Sequence, residues 1–148
     1  MIKAEIVMQY DYSAQASARY RAAAEIGVRS AGDFFLKQLK RAYTNYYTTQ
    51  NFRDTIFIRG SLKAARPERG RGGWYTIVGV PSEMVVPRGQ TRAVDRGKVA
   101  LGWEIGHYNR FMRKGDVRVP IVVPAAAKYS QQVIDTFARV VKKIMDAK

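Results

Sequence analysis

Glu104 and His107 stand three positions apart, close enough to meet on one helical turn, and a carboxylate beside an imidazole is the pairing that general-base catalysis or metal binding uses. His107 is the single histidine of the chain and there is no cysteine, so this place offers one imidazole and one carboxylate. That is too few ligands for a metal cage. No second acidic cluster supports two-metal phosphoester chemistry. No glycine-rich phosphate loop precedes a Lys-Ser or Lys-Thr pair, and there is no nucleophile elbow. The residues predict no catalysis and no cofactor, with Glu104 ion-paired to one of the many arginines.

Cationic side chains are the abundant functional type. Arg59, Lys63, Arg66, Arg69 and Arg71 crowd a short stretch in which Glu68 is the one acid and Gly70, Gly72 and Gly73 loosen the chain; Arg88 and Arg92 follow. These seven are the candidates for an interface or a DNA-facing arm. Over the whole chain 26 Lys and Arg face 12 Asp and Glu, a net charge of +14 in 148 residues. Such a field attracts polyanions and repels copies of itself, so DNA, RNA or an acidic protein surface is the expected neighbour. A basic arm tracks phosphates and releases counterions. Its tip holds no interleaved aromatic residue, however, and so no platform for base stacking. Tyr43, Tyr46 and Tyr47 offer ring faces near a helix end, but core or interface packing accounts for them more simply, as it does for Trp74 and Trp103.

The elements that must carry these residues fit one domain, 1–148, large enough for a continuous core without staples. The absence of cysteine fits a reducing compartment without requiring one. Met1–Tyr12 does not read as a signal peptide, because Lys3 and Glu5 interrupt it. The longest apolar run, Val119–Ala127, contains Pro120 and Pro124 and falls short of the ~20 residues of a spanning helix. A soluble protein is expected. Alternation from Ile2 to Tyr10 predicts an opening strand. A helical stretch follows from Ala14 to Tyr46, with its apolar stripe at Ala24, Val28, Ala31, Phe35, Leu39, Ala42 and Tyr46. Gly27 and the Ser30–Asp33 sequence leave one kinked helix and two consecutive helices both open. Thr55–Ile58 and Trp74–Val78 predict a hairpin with a flexible basic tip over 64–73, and 81–97 predicts an extended loop. Val99–Gly106 belongs against the core in an undecided conformation. Val117–Val123 predicts a final strand, and Pro124 suits the first position of a closing helix.

Three segments, in order, resemble the tail-completion or head–tail joining proteins of long-tailed bacteriophages. Thr48–Ile56, containing Asn51, Phe52, Arg53 and Asp54, resembles that family's Thr-Gly-x-Leu-Arg-x-Ser-Ile signature after a long amino-terminal helix. Ala100–His107, with Glu104 and Gly106, resembles its Tyr-Ala-x-x-x-Glu-x-Gly-Thr segment, and Arg118–Ala125, with Pro120 and Pro124, resembles its Arg-Pro-Phe-Leu-x-Pro-Ala segment. Gln50 or Asn51 stands where Gly is common, His107 where Thr is common, and Val119 separates Arg118 from Pro120.

The resemblance implies an α+β fold in which a long N-terminal helix and a C-terminal helix pack on a mainly antiparallel sheet with long basic loops. It further implies a non-enzymatic virion component, made in the host cytoplasm and placed at the neck or head-proximal end of the tail. There it forms a homo-oligomeric ring, a hexamer or a dodecamer, against connector, neck and tail-tube proteins, with nonspecific contact to genomic DNA and none to membrane. A basic nucleic-acid-binding protein is the alternative. A fold-setting ion pair between Arg53 and Glu104 is also expected.

Overall fold

In the computed structural model the chain is described over residues 3–7, 18–50, 59–71, 73–86, 89, 91–109, 114–117 and 120–147. It opens with strand β1 (Lys3–Val7) and continues into helix α1 (Ala18–Gln50), 33 residues long. At 1.5 Å per residue, α1 is about 50 Å in length. Its Ala-rich start favours helix, and its inward stripe of Val28, Ala31, Phe35, Leu39 and Tyr43 is buried. The helix does not break at Gly27 or at Ser30–Asp33. Both glycines are there for close approach: a Cβ on Gly27 would lie 2.8 Å from the Phe137 and Val141 side chains, and one on Gly32 would lie 2.8 Å from Thr76 Cγ2. One uninterrupted helix therefore resolves the two readings that the sequence leaves open.

The main sheet is built around β4 (Gly73–Gly79). β1 runs antiparallel along one edge of it, and β2 (Lys63–Ala64) and β3 (Glu68–Gly70) pair in succession along the other. The segment 64–73, expected as a flexible hairpin tip, carries the end of β2, the whole of β3 and the start of β4. Arg69 lies opposite Trp74 and Gly70 opposite Gly73, while Ala65 N–H donates to the Ile77 carbonyl at 2.7 Å. The pairing lapses before Pro67, which has no N–H to give. The strand expected at Thr55–Ile58 lies outside the described residues.

The extended loop expected over 81–97 contains a two-stranded hairpin of β5 (Met84–Val85) and β6 (Val94–Asp95), and it ends in the first turn of helix α2 (Arg96–Ile105). That helix settles the conformation of Val99–Gly106. Strands β7 (His107–Asn109) and β8 (Lys114–Val117) form a third ladder, and helix α3 (Val122–Asp146) closes the fold. The final strand expected over 117–123 is corrected accordingly: β8 ends at Val117 and the helix has begun by Val122. Pro124 is its third residue and not its first.

α1 is the centre of the packing. It runs antiparallel to α3, since Arg19 at its start donates to the Ile144 and Ala147 carbonyls at the far end of α3. It also lies on the sheet, where Val78 and Val80 are buried against it. Ala100 and Trp103 of α2 and Val122, Ala125 and Val133 of α3 complete one core. Trp103 is buried, whereas Trp74 is half-buried at the core's edge. Among the described residues no helix is long and apolar enough to cross a membrane.

Candidate functional site

The residues singled out in the middle and last motifs meet at one junction. α2 begins at Asp95, whose Oδ1 accepts the Gly97 and Lys98 N–H groups at 2.8 and 3.2 Å and whose Oδ2 accepts the Ser82 hydroxyl at 2.6 Å. The Ser82 hydrogen bond first, and the two backbone N–H groups with the Lys98 charge after it, hold the Asp95 carboxyl below its ordinary value. α2 ends at Gly106, where φ is +104°, a conformation that favours glycine, and the Gly106 N–H returns to the Gly102 carbonyl at 2.9 Å. Between these two ends the helix turns Gly97, Ala100, Trp103 and Glu104 inward.

Glu104 is 4% exposed, and its carboxylate binds the start of α3. Oε2 accepts the N–H groups of Ile121 at 2.8 Å and Val122 at 3.1 Å, and Oε1 accepts that of Val123 at 2.7 Å. A helix start leaves four N–H groups without intrahelical partners. Here three of them meet Glu104 and the fourth position is Pro124, which has no N–H. The next amide, Ala125, already donates to the Ile121 carbonyl at 3.1 Å. Ile121, which occupies the cap position, has no side chain able to do this work, so the acceptor comes from another helix. The carboxylate also faces the positive end of the α3 dipole. Burial, and after it the negative charge of Glu104, pushes the buried Tyr43 phenol of α1 above its usual value. Tyr43 is thus a core residue and not a stacking surface.

Glu104 and His107 do not share a helical turn: the helix stops at Ile105, and His107 opens β7 opposite Val117. With both oxygens engaged by α3, a general-base role for Glu104 would require the helix start to give up its acceptor. The donors to the Glu104 carboxylate seen here are backbone amides, and Arg53, its expected ion-pair partner, lies outside the described residues. Asn51, Phe52, Arg53, Asp54 and Arg88 lie outside the described residues, as do Arg118 and Val119 of the last motif. Among the described residues no group of three His, Asp or Glu is arranged to hold a metal ion.

The basic candidates are carried by different elements. Lys63, Arg66, Arg69 and Arg71 are exposed along the β2–β3 edge, where Glu68 accepts the Tyr75 hydroxyl at 2.9 Å, and Arg92 is exposed between β5 and β6. Arg59 instead lines a cleft of about 380 Å³ with Lys37, Lys40 and Arg41 of α1. Arg41 also lines a neighbouring cleft of about 470 Å³ between α1 and α3, with Gln38, Asn45, Tyr46, Lys128 and Tyr129. The charges of α1 are visible in the sequence as residues off the apolar stripe; their meeting with Arg59 is not, because it depends on how the chain returns after α1.

Comparisons of the chain with protein-family models, with curated proteins and with solved structures return no match.

Proposed function

We propose that this chain is a structural, non-enzymatic subunit of the head–tail joint of a long-tailed bacteriophage, assembling as a ring that completes the tail and connects it to the capsid connector. The observation that carries the reading is the Glu104 junction. Two of the three segments on which the resemblance rests are joined by it, one supplying the carboxylate and the other the amides and Pro124. Their residue types then have a shared physical reason, which supports reading the two segments together.

A closed ring needs two different adhesive faces on each subunit. Ile105, next to Glu104 in sequence, and Val123, one of the residues whose N–H Glu104 accepts, are 63% and 62% exposed, and Met84 and Val86 at the β5–β6 hairpin are 64% and 55% exposed. These are large apolar side chains left to solvent on α2, on α3 and at the β5–β6 hairpin. The +14 charge calls for neutralisation by acidic neighbours or by DNA once copies are gathered. The test is the mass of nuclease-treated protein by light scattering at low and high salt, followed by incubation with tails and capsids lacking this subunit. A discrete species of about six or about twelve subunits, alone or on those particles, is expected. A chain that stays monomeric at every salt concentration and attaches to neither particle would overturn the reading.

A further inference from the structure

Four cations converge on the cleft between α1 and the Arg59 segment: Lys37, Lys40, Arg41 and Arg59, with Asp33 as the one acid among the described residues that line it. None of the four has an ion-pair partner among the described residues. Bringing like charges into one concavity works against their mutual repulsion, and an anion relieves it. Lys37 and Arg41 sit about one turn apart, roughly 6 Å along the helix axis.

The adjoining cleft has a different character. Tyr46 and Tyr129 present half-buried rings, Gln38 and Asn45 add carboxamides, and the Lys128 ammonium lies 5.3 Å from the Tyr129 ring centroid. Arg41 lines both clefts, so the anion site and the aromatic site adjoin at its side chain.

We propose that this seam binds single-stranded nucleic acid, with phosphates on the Lys37, Arg41 and Arg59 side and a base against Tyr46 and Tyr129. The pairing of the two clefts selects the partner. An acidic peptide would use the cations and leave the rings idle. A duplex offers phosphates but keeps its bases stacked inside. A single strand carries a phosphate and an open planar base in every unit, and aromatic rings beside a cationic track suit that alternation. The inference does not depend on ring formation and lies apart from the β2–β3 edge.

The test is anisotropy of a labelled oligothymidylate of about 16 nucleotides, and of a duplex of equal length, with the full chain over a salt series. The oligothymidylate is expected to bind more tightly than the duplex. Lys37→Gln with Arg41→Gln should lower the slope of log affinity against log salt by about 1.4, two phosphates at about 0.7 each. Tyr129→Leu should weaken binding about tenfold with the slope unchanged, while Tyr129→Phe binds like the wild type. Should Tyr129→Leu lose its fold by circular dichroism, the Lys37 and Arg41 variant decides, since both are exposed helical positions where Gln is well accommodated. Equal binding of duplex and single strand, an unchanged slope in that variant, or displacement of the oligonucleotide by polyglutamate of equal charge would each overturn the proposal, the last in favour of an acidic protein partner.

Discussion

Glu104 and Arg19 hold opposite ends of α3. The Glu104 carboxylate takes the N–H groups of Ile121, Val122 and Val123 at the start, and the Arg19 guanidinium reaches the carbonyls of Ile144 and Ala147 at the finish. Each charge has the sign that the helix dipole favours at its end. Neither cap is local in sequence, so the closing helix is fastened by α2 at one end and by α1 at the other. The two contacts differ in burial, and burial decides what each is worth.

At the buried end, Glu104→Ala would leave the amides of Ile121 and Val122, both buried residues, without an acceptor. An unsatisfied buried donor costs about 1–3 kcal/mol, so a loss of roughly 3–5 kcal/mol is expected. That is a large part of the ~5–15 kcal/mol that holds a domain folded. Glu104→Gln keeps one acceptor but turns an NH₂ toward an N–H, and about 2–3 kcal/mol is expected. Urea denaturation checks both. A Glu104→Ala protein within about 0.5 kcal/mol of the wild type would mean that water serves the helix start as well as the carboxylate does.

At the exposed end the balance is different. Water can replace the Arg19 guanidinium at the last carbonyls, so Arg19→Ala should cost only about 0.5–1 kcal/mol, most of it at low ionic strength. Denaturation in low and high salt separates the two parts. A cost as large as that of Glu104→Ala would place the end of α3 in a drier setting than its exposure indicates.

Periodicity made the packing face of α1 legible. Val28, Ala31, Phe35 and Leu39 recur at three or four residues and are all buried. Gly27 and the Ser30–Asp33 sequence looked like an interruption because a glycine placed for close approach and a glycine placed for a break have the same local signature. Glu104 could be singled out by its motif, but its partners could not, since backbone amides carry no residue type to read. Pro124 marked the helix start to within two residues. It lies deeper than the first turn's usual proline because Glu104 serves the amides ahead of it. The cleft of Lys37, Arg41 and Arg59 was hidden for a simpler reason: residues far apart in sequence are joined there by the path of the chain.

Acid should test the start of α2. Asp95 is held below the carboxylate value of 3.8 by Ser82 and by two backbone N–H groups. A depressed native value means that its contribution is present above 3.8 and is lost as pH falls through the lower native value. Asp95→Asn retains cap geometry without the charge. The wild type should therefore be the more stable protein near neutrality, and the gap should close as pH drops below 3.8. Ser82→Ala should raise the Asp95 value and move that acid limb upward. Urea midpoints across a pH series, with the Asp95 carboxyl followed by NMR, provide the measurement; a gap that stays constant into acid would show that the charge is not what the cap uses.

Gly32 and Thr76 give the most discriminating test of how α1 lies on the sheet. In an ordinary helix interior Gly→Ala is favourable by about 1 kcal/mol. Here the new methyl would meet Thr76 Cγ2 at 2.8 Å, and Thr76 is itself held by its hydroxyl donating to the Ala65 carbonyl at 2.7 Å. Overpacking of this kind costs about 1–3 kcal/mol, so Gly32→Ala should be neutral or destabilising despite its propensity. Thr76→Ser removes the obstructing methyl and keeps the hydroxyl. In that background Gly32→Ala should become stabilising, giving a coupling of about 1 kcal/mol or more in a double-mutant cycle. Additive effects would mean that α1 lifts from the sheet to admit the methyl, and the close approach at Gly32 would then not be what sets the spacing of the two layers.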